Sequence, residues 1–179
     1  MEIQPTKIAK CNVFTIDRHE DERGYFQEIF NESRYENISA VTPQVSFSKS
    51  HCDVLRGLHV SPYGKLCTCV RGRLWDVLVD LRFGSSTYGQ WFATELSEEN
   101  HQQLYIPAWC AHGFLSLEDD TCLLYMQGGR WSSLHDKGVK WNDCKIGIQW
   151  PLPANGKYLI SDKDQEQPSL EEYRASCNR

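Results

Sequence analysis

Residues 73–81 read Arg-Leu-Trp-Asp-Val-Leu-Val-Asp-Leu. Trp75, Val77, Val79 and Leu81 alternate with Leu74, Asp76, Leu78 and Asp80. A period of two puts successive side chains on opposite faces of a strand, here one apolar face and one mixed face. Working outward, the same short alternating pattern recurs on both sides. Val13 to Ile16, Tyr25 to Phe30, Gln44 to Ser48 and Leu66 to Val70 precede it. Gln90 to Leu96, Gln103 to Ile106, Gly113 to Leu117, Thr121 to Met126 and Gly147 to Trp150 follow. Gly, Pro, Asn and Asp break the chain between them. Helical signal is confined to Ser33–Ile38, Glu98–Gln102 and Ser169–Ala175, with Ser97 and Ser169 as N-caps. Many short strands with little helix imply an all-β fold, an antiparallel jelly-roll or cupin-type barrel able to hold one ligand in its mouth.

The 179 residues suit one domain spanning 1–179, and 40% apolar with 24% charged residues is ordinary globular composition. A formal charge of −5 gives no general attraction for nucleic acid or for an anionic membrane. An anionic substrate must therefore meet a local basic pocket. No apolar run approaches the roughly 20 residues needed to span a bilayer. The opening MEIQPTKIAKCN lacks the organisation of a secretory signal, so a cytoplasmic location is expected. The eight scattered cysteines then read as reduced thiols, several buried as small hydrophobes. Cys67-Thr-Cys69 would share one strand face, but no second Cys/His pair with zinc spacing accompanies it, and no metal is expected.

Four segments carry polar groups that a β-core does not need. They are Asp21–Phe30, Val54–His59 with Lys65 beyond it, Ile106–Phe114, and Leu159–Asp164. In an ideal strand Arg56 and His59 would face opposite ways, unless a bulge or bend at Gly57 re-aims one of them. Arg23, Arg56 and Lys65 together could hold a phosphate or diphosphate. A histidine titrates near neutrality and suits a proton-abstracting base. A proton α to a ketone leaves readily only if the enolate oxygen is stabilised, and Lys65 could serve there.

These segments resemble, in order, the dTDP-4-dehydrorhamnose 3,5-epimerase family. The resemblance runs from about Asp21 to Asp164 through DERGYFQEIF, QVSFSKS, VLRGLH, KL, VRGRLWDVLVDLR, SSTYGQW, LSEEN, IPAWCAHGF, KWND, IQWP and LISDKD. It implies a homodimeric cupin that epimerises a nucleotide-linked 4-keto-6-deoxy sugar at C3, C5 or both, without cofactor or metal. It implies His59 as base, Asp164 as the carboxylate that orients it, and Lys65 near the keto oxygen. Arg23 and Arg56 would surround the diphosphate and sugar, and Glu28 the nucleotide. Phe26, Gln44 and His112 would be further substrate contacts, and part of the arginine and glutamate region would reach over from a partner subunit. Trp131 stands where the family carries its general-acid tyrosine. Indole has no titratable proton at neutral pH, so reprotonation must come from water, from a neighbour such as Tyr125 or Tyr63, or fail. Gln44-Val45-Ser46 also lacks the second amide of the family's Gln-x-Asn. A 3,4-ketoisomerase working through the same enolate and a catalytically silent sugar-nucleotide binder are the competing readings.

Overall fold

In the computed structural model, which describes residues 1–35, 38, 43–133 and 136–177, the strands form two antiparallel sheets and one hairpin. They are β1 Glu2–Pro5, β2 Asn12–Thr15, β3 Arg18–Asp21, β4 Gly24–Gln27, β5 Gln44–Ser50, β6 Leu55–Val60 and β7 Lys65–Arg71. β8 Arg73–Asp80, β9 Trp91–Ser97, β10 Gln102–Ile106, β11 Cys110–Ser116, β12 Thr121–Gln127 and β13 Lys137–Gly138 complete them. The larger sheet has the order β1-β2-β10-β7-β12-β5, the smaller β13-β6-β11-β8-β9, and β3 pairs with β4 as a two-stranded hairpin. Two antiparallel sheets closing on one core make the jelly-roll of a cupin.

The two faces of β8 explain how the barrel is filled. Its mixed face points inward, where Leu74 and Leu78 join Cys67, Cys69, Leu96, Leu104, Phe114 and Leu123 in the core between the sheets. Its apolar face points outward, where Val79 and the adjoining Leu81 pack with Leu58, Val139, Ile146 and Tyr173 under the C-terminal segment. The carboxylates of Asp76 and Asp80 thus lie in the interior, both fully buried. The eight cysteines are free, five of them buried.

Several expected elements differ. Gly147–Trp150 is not a strand: Gly147 has φ +66°, and Ile148 and Trp150 lie against the outer face of the smaller sheet. Residues 98–101 form a tight turn rather than a helix. There Asn100 N donates to Ser97 Oγ and Ser97 N to Asn100 Oδ1, both at 3.0 Å, so the cap closes a hairpin. The helical reading of 33–38 falls partly outside the described residues; a 3-10 turn covers Glu32–Arg34. The helices are α1 Asp162–Gln165 and α2 Leu170–Cys177, the latter capped by Ser169 as expected through Glu172 N to Ser169 Oγ. β1 and β3 left little signal because Glu-Ile-Gln-Pro is only four residues long, ends in proline and is exposed throughout, and Arg-His-Glu-Asp has no aliphatic side chain.

Gly57, inside β6, has φ +126°, and a Cβ there would sit 2.6 Å from Gly113 Cα and 2.9 Å from His112 O. Gly57→Ala should cost roughly 2–4 kcal/mol through strain plus overpacking. Gly24→Ala, at φ +123° with no atom within 4 Å, should cost clearly less. Urea midpoints of the two variants decide this; equal midpoints would mean the close approach at Gly57 is not a constraint.

Candidate active site

The site starts from a mismatch between β6 and β11. His59 stands opposite His112 and Arg56 opposite Phe114, so three steps on β6 span two on β11. This one-residue bulge turns Arg56 and His59, three apart, onto the same side of the sheet. Gly57 and Gly113, at the irregularity, supply the bare backbone that lets the strands touch. Arg56, His59, Val60 and Phe114 then form one wall of a cavity of about 280 Å³. Gln44, Ser46 and Ser48 of β5, Lys65 of β7, and Tyr125 and Gln127 of β12 form the wall opposite. Tyr63, Trp131 and Asp136 line it as well.

Asp164 reaches this wall from α1. Ser161 caps that short helix, and the Asp164 side chain turns inward, only 6% exposed. One oxygen, Oδ1, lies 2.7 Å from His59 Nε2; the other, Oδ2, accepts the Gly57 amide at 3.0 Å. Burial alone would raise the carboxyl's pKa, but the hydrogen bonds from His59 and Gly57 outweigh it and hold the group below its ordinary value. With Nε2 engaged, Nδ1 is the ring nitrogen left without that partner.

Lys65 is 8% exposed and makes no side-chain hydrogen bond or ion pair with another described residue. Desolvation lowers its pKa, against the attraction of Cys67, Asp76 and Asp136. It is a dehydrated cation at the cavity wall. Deeper in, His112 Nε2 meets Asp76 Oδ1 at 2.5 Å, and Asp76 Oδ2 is buried without a hydrogen-bond partner among the described residues. Cys67 Sγ lies 3.9 Å from the same His112 nitrogen.

Cys67, Asp76 and His112 thus bring three donor atoms within 4.8 Å of one another, a grouping that the chain order hides. Its geometry is that of a hydrogen-bonded pair beside a thiol. Two ligands of a tetrahedral zinc stand about 3.3 Å apart, whereas this nitrogen and oxygen are at 2.5 Å. Burial pushes the Cys67 thiol well up, so it sits beside the pair as a neutral group.

Of the residues singled out in the sequence, His59, Lys65, Trp131, Gln44, Arg56 and His112 share the cavity, with Asp164 behind His59. Arg23, Phe26 and Glu28 do not line it. The β3–β4 hairpin places the first two outside this cavity, Arg23 paired with Asp21 and Phe26 70% exposed beside Thr68, Cys69 and Val70 of β7. Glu28 pairs with Arg34 at 3.2 Å. Arg56, which lines the cavity, donates through Nε to Ser50 Oγ at 3.2 Å. Trp131 is 59% exposed at the rim, its backbone amide held by Gln44 Oε1 at 2.8 Å.

Sequence reasoning missed Ser48, Gln127, Asp76 and Asp136. The inward carboxylate of Asp76 was visible in the mixed face of its strand. Gln127 carried no signal; its amide and that of Gln44 both donate to Ser46 Oγ, at 2.9 and 3.0 Å. Two amides therefore meet Ser46, one from β12 and one from β5.

This chain is similar to a set of known proteins. The model of the dTDP-4-dehydrorhamnose 3,5-epimerase family matches residues 5–172. A dTDP-4-dehydrorhamnose 3,5-epimerase of Sinorhizobium fredii is 42% identical, over 95% of this chain and 90% of its own. Among solved structures, a dTDP-6-deoxy-D-glucose-3,5-epimerase of Legionella pneumophila in complex with dTDP-4-keto-L-rhamnose superposes with a TM-score of 0.93. It is 34% identical, covering 98% of this chain and 95% of that one. A 3'-monoepimerase of Streptomyces bikiniensis in complex with dTDP-quinovose gives 0.89 at 31% identity, covering 97% and 90%. With a match across nearly its whole length, this chain belongs to the dTDP-4-dehydrorhamnose 3,5-epimerase family.

Proposed function

We propose that this protein is an isomerase that epimerises a nucleotide-linked 4-keto-6-deoxy sugar at C3, C5 or both, with His59 as the base. The observation that carries the reading is His59 in the cavity wall, its Nε2 tied at 2.7 Å to the buried Asp164 carboxylate. That tie favours the tautomer with the proton on Nε2, leaving Nδ1 to take the proton α to the ketone. Asp164 then stabilises the imidazolium that forms. The electron pair of the broken C–H bond moves into the enolate, whose oxygen meets the desolvated ammonium of Lys65. In a cavity that limits water, such a charge stabilises the enolate more than it would in solution. Arg56 suits the diphosphate by its planar fork at the mouth. His112, fixed by Asp76, and the Gln44 amide suit the sugar hydroxyls, and Trp131 offers a wall for the ring.

Proton transfer of this kind moves no electrons between redox states, so the step balances without a redox cofactor, and no metal is needed to place the charge. The names of the relatives favour epimerisation over 3,4-ketoisomerisation or silent binding. Both 3,5- and single-carbon epimerases are among them, so the family alone leaves C3 and C5 open. A cytosolic setting fits the eight free cysteines; among the described residues no helix is long and apolar enough to cross a membrane.

A homodimer completes the reading. Phe26 on the β3–β4 hairpin, and Val45 and Phe47 on the edge strand β5, are 70%, 57% and 59% exposed. Pairing these surfaces would cover an apolar patch and a sheet edge together. It would also carry Arg23, Phe26 and Glu28 to the partner's cavity. Light scattering at micromolar concentration should give twice the chain mass, and Phe26→Asp should shift it toward the monomer. A monomeric wild type would refute the dimer.

In D₂O the wild type should place deuterium at C3, C5 or both of the 4-keto sugar. His59→Asn should slow that exchange by about 10²–10⁴-fold while nucleotide affinity stays within a few-fold, and Asp164→Asn should be milder yet severe. Wild-type exchange in the His59 variant would remove it as the base. A migrated ketone would instead mark the isomerase, and no exchange a binder.

Lys65→Met should abolish turnover yet stabilise the fold by on the order of 1 kcal/mol, because it replaces a buried cation that has no hydrogen-bond or ion-pair partner among the described residues. The sign with pH follows from the lowered pKa. The folded chain releases this proton first, so the cost of burial is full below the folded pKa and is relieved as pH rises toward the unfolded value. The stability gap between variant and wild type should therefore narrow in alkali, in the window below the ordinary lysine value. A gap that is absent or widens would contradict the account of Lys65.

A further inference from the structure

Removing a proton from the sugar is half of an inversion. The other half is a donor on the opposite face, and at the position where the family resemblance expects a tyrosine this chain has Trp131. Two phenols line the cavity, Tyr125 and Tyr63. The Tyr125 hydroxyl is engaged with Ser48 at 3.1 Å, its ring stands edge-on to His112, and burial raises its pKa far above neutrality. It is part of the wall.

Tyr63 is placed differently. It lies on the loop 61–64, between β6 with His59 and β7 with Lys65. Both ends of the loop are fixed: the Ser61 carbonyl accepts the Trp109 amide at 2.8 Å, and the Gly64 carbonyl accepts the Gly128 amide at 2.9 Å. The Tyr63 ring rests on Gly129, where an added Cβ would come 2.3 Å from Cδ1 and 2.7 Å from Cγ. Only a residue without a side chain admits the ring there. Gly129 lies two residues before Trp131 and just beyond β12, a strand of the larger sheet, whereas His59 belongs to the smaller one. Tyr63 therefore lines the cavity with its ring seated on the segment that leaves the larger sheet, while His59 belongs to the smaller one.

We propose that Tyr63 is the catalytic acid of this chain, returning a proton to the sugar carbon on the face opposite His59. The proposal rests on the reading of His59 as base. His59 takes the α-proton and the C–H pair becomes the enolate. As the enolate collapses, the pair forms a new C–H bond with the Tyr63 Oη proton, leaving a phenolate. The imidazolium then loses one proton to solvent and the phenolate gains one, so nothing is consumed. Like any tyrosine the Tyr63 phenol is protonated at neutral pH; burial raises its pKa further, against the Ser61 hydroxyl, which lowers it, and with Asp136, which raises it. Tyr63 and Gly129 together thus make good the phenol that Trp131 lacks.

The test separates exchange from inversion. Tyr63→Phe deletes one hydroxyl and keeps the ring on Gly129, and thermal melting checks that the fold is retained. With a dTDP-4-keto-6-deoxyglucose substrate in D₂O, mass spectrometry reads solvent deuterium uptake and NMR reads inverted product. Uptake in Tyr63→Phe should stay within a few-fold of wild type, because His59 still removes and returns the proton on its own face. Inversion should fall by about 10²-fold or more. An unchanged ratio of inversion to uptake would overturn the proposal, as would an equal fall of both in a folded variant. If wild type itself shows no His59-dependent uptake, the base assignment has failed, an outcome distinct from either.

Discussion

The buried carboxylate of Asp164 is the point through which the site is tied to the fold. One oxygen holds the Gly57 amide inside the β6 bulge, and the other holds the His59 ring that the bulge turns into the cavity. A carboxylate removed from water is tolerated only when such donors meet it. The same two hydrogen bonds that satisfy it also pin the C-terminal segment midway along its path. That segment covers the outer face of the smaller sheet through Val139 and Ile146, sets α1 against β6, and returns to the outer face through Tyr173 of α2. Packing of the outer layer and orientation of the imidazole are therefore one constraint.

Around this anchor the interior is divided by polarity. Apolar side chains of both sheets fill one part of the barrel, and the part near β5, β6 and β12 stays open and polar. The chain as a whole is acidic, yet Arg56 and Lys65 face the cavity. An anionic ligand is thus attracted by the site and not by the general surface. Lys65 shows the tension between stability and use: a poorly solvated ammonium weakens the fold, and the same poor solvation makes it a strong electrostatic partner for an oxygen that gains charge.

How much of this was legible in the chain depended on how local the signal was. The alternation in 73–81 and its neighbours marked most of the strands, because burial on two distinct faces leaves a period of two. The short polar strands β1 and β3 left no such trace. For the site, His59, Lys65, His112 and Asp164 stood out as motif residues, and Gly57 as the place where a bend could re-aim a side chain. Whether the bend occurs is a matter of β6 meeting β11, a pairing between distant segments. The His112–Asp76 pair and the seat of Tyr63 on Gly129 were hidden for the same reason. Arg23 and Phe26 of the hairpin and Glu28 just beyond it were site residues by family resemblance, but one copy of the chain does not bring them to its own cavity.

The central claim is that inversion proceeds by breaking a C–H bond at a carbon α to the ketone, with His59 receiving the proton. The most direct measurement uses a nucleotide-linked 4-keto-6-deoxy sugar carrying deuterium at C3 and C5, turned over in ordinary water, with the product read by NMR and mass spectrometry. The account predicts that each inverted carbon has lost its deuterium to solvent, and that turnover is slower than with the unlabelled sugar. An inverted carbon that still carries its original deuterium would contradict it, since proton abstraction into exchange with solvent could not then be the route.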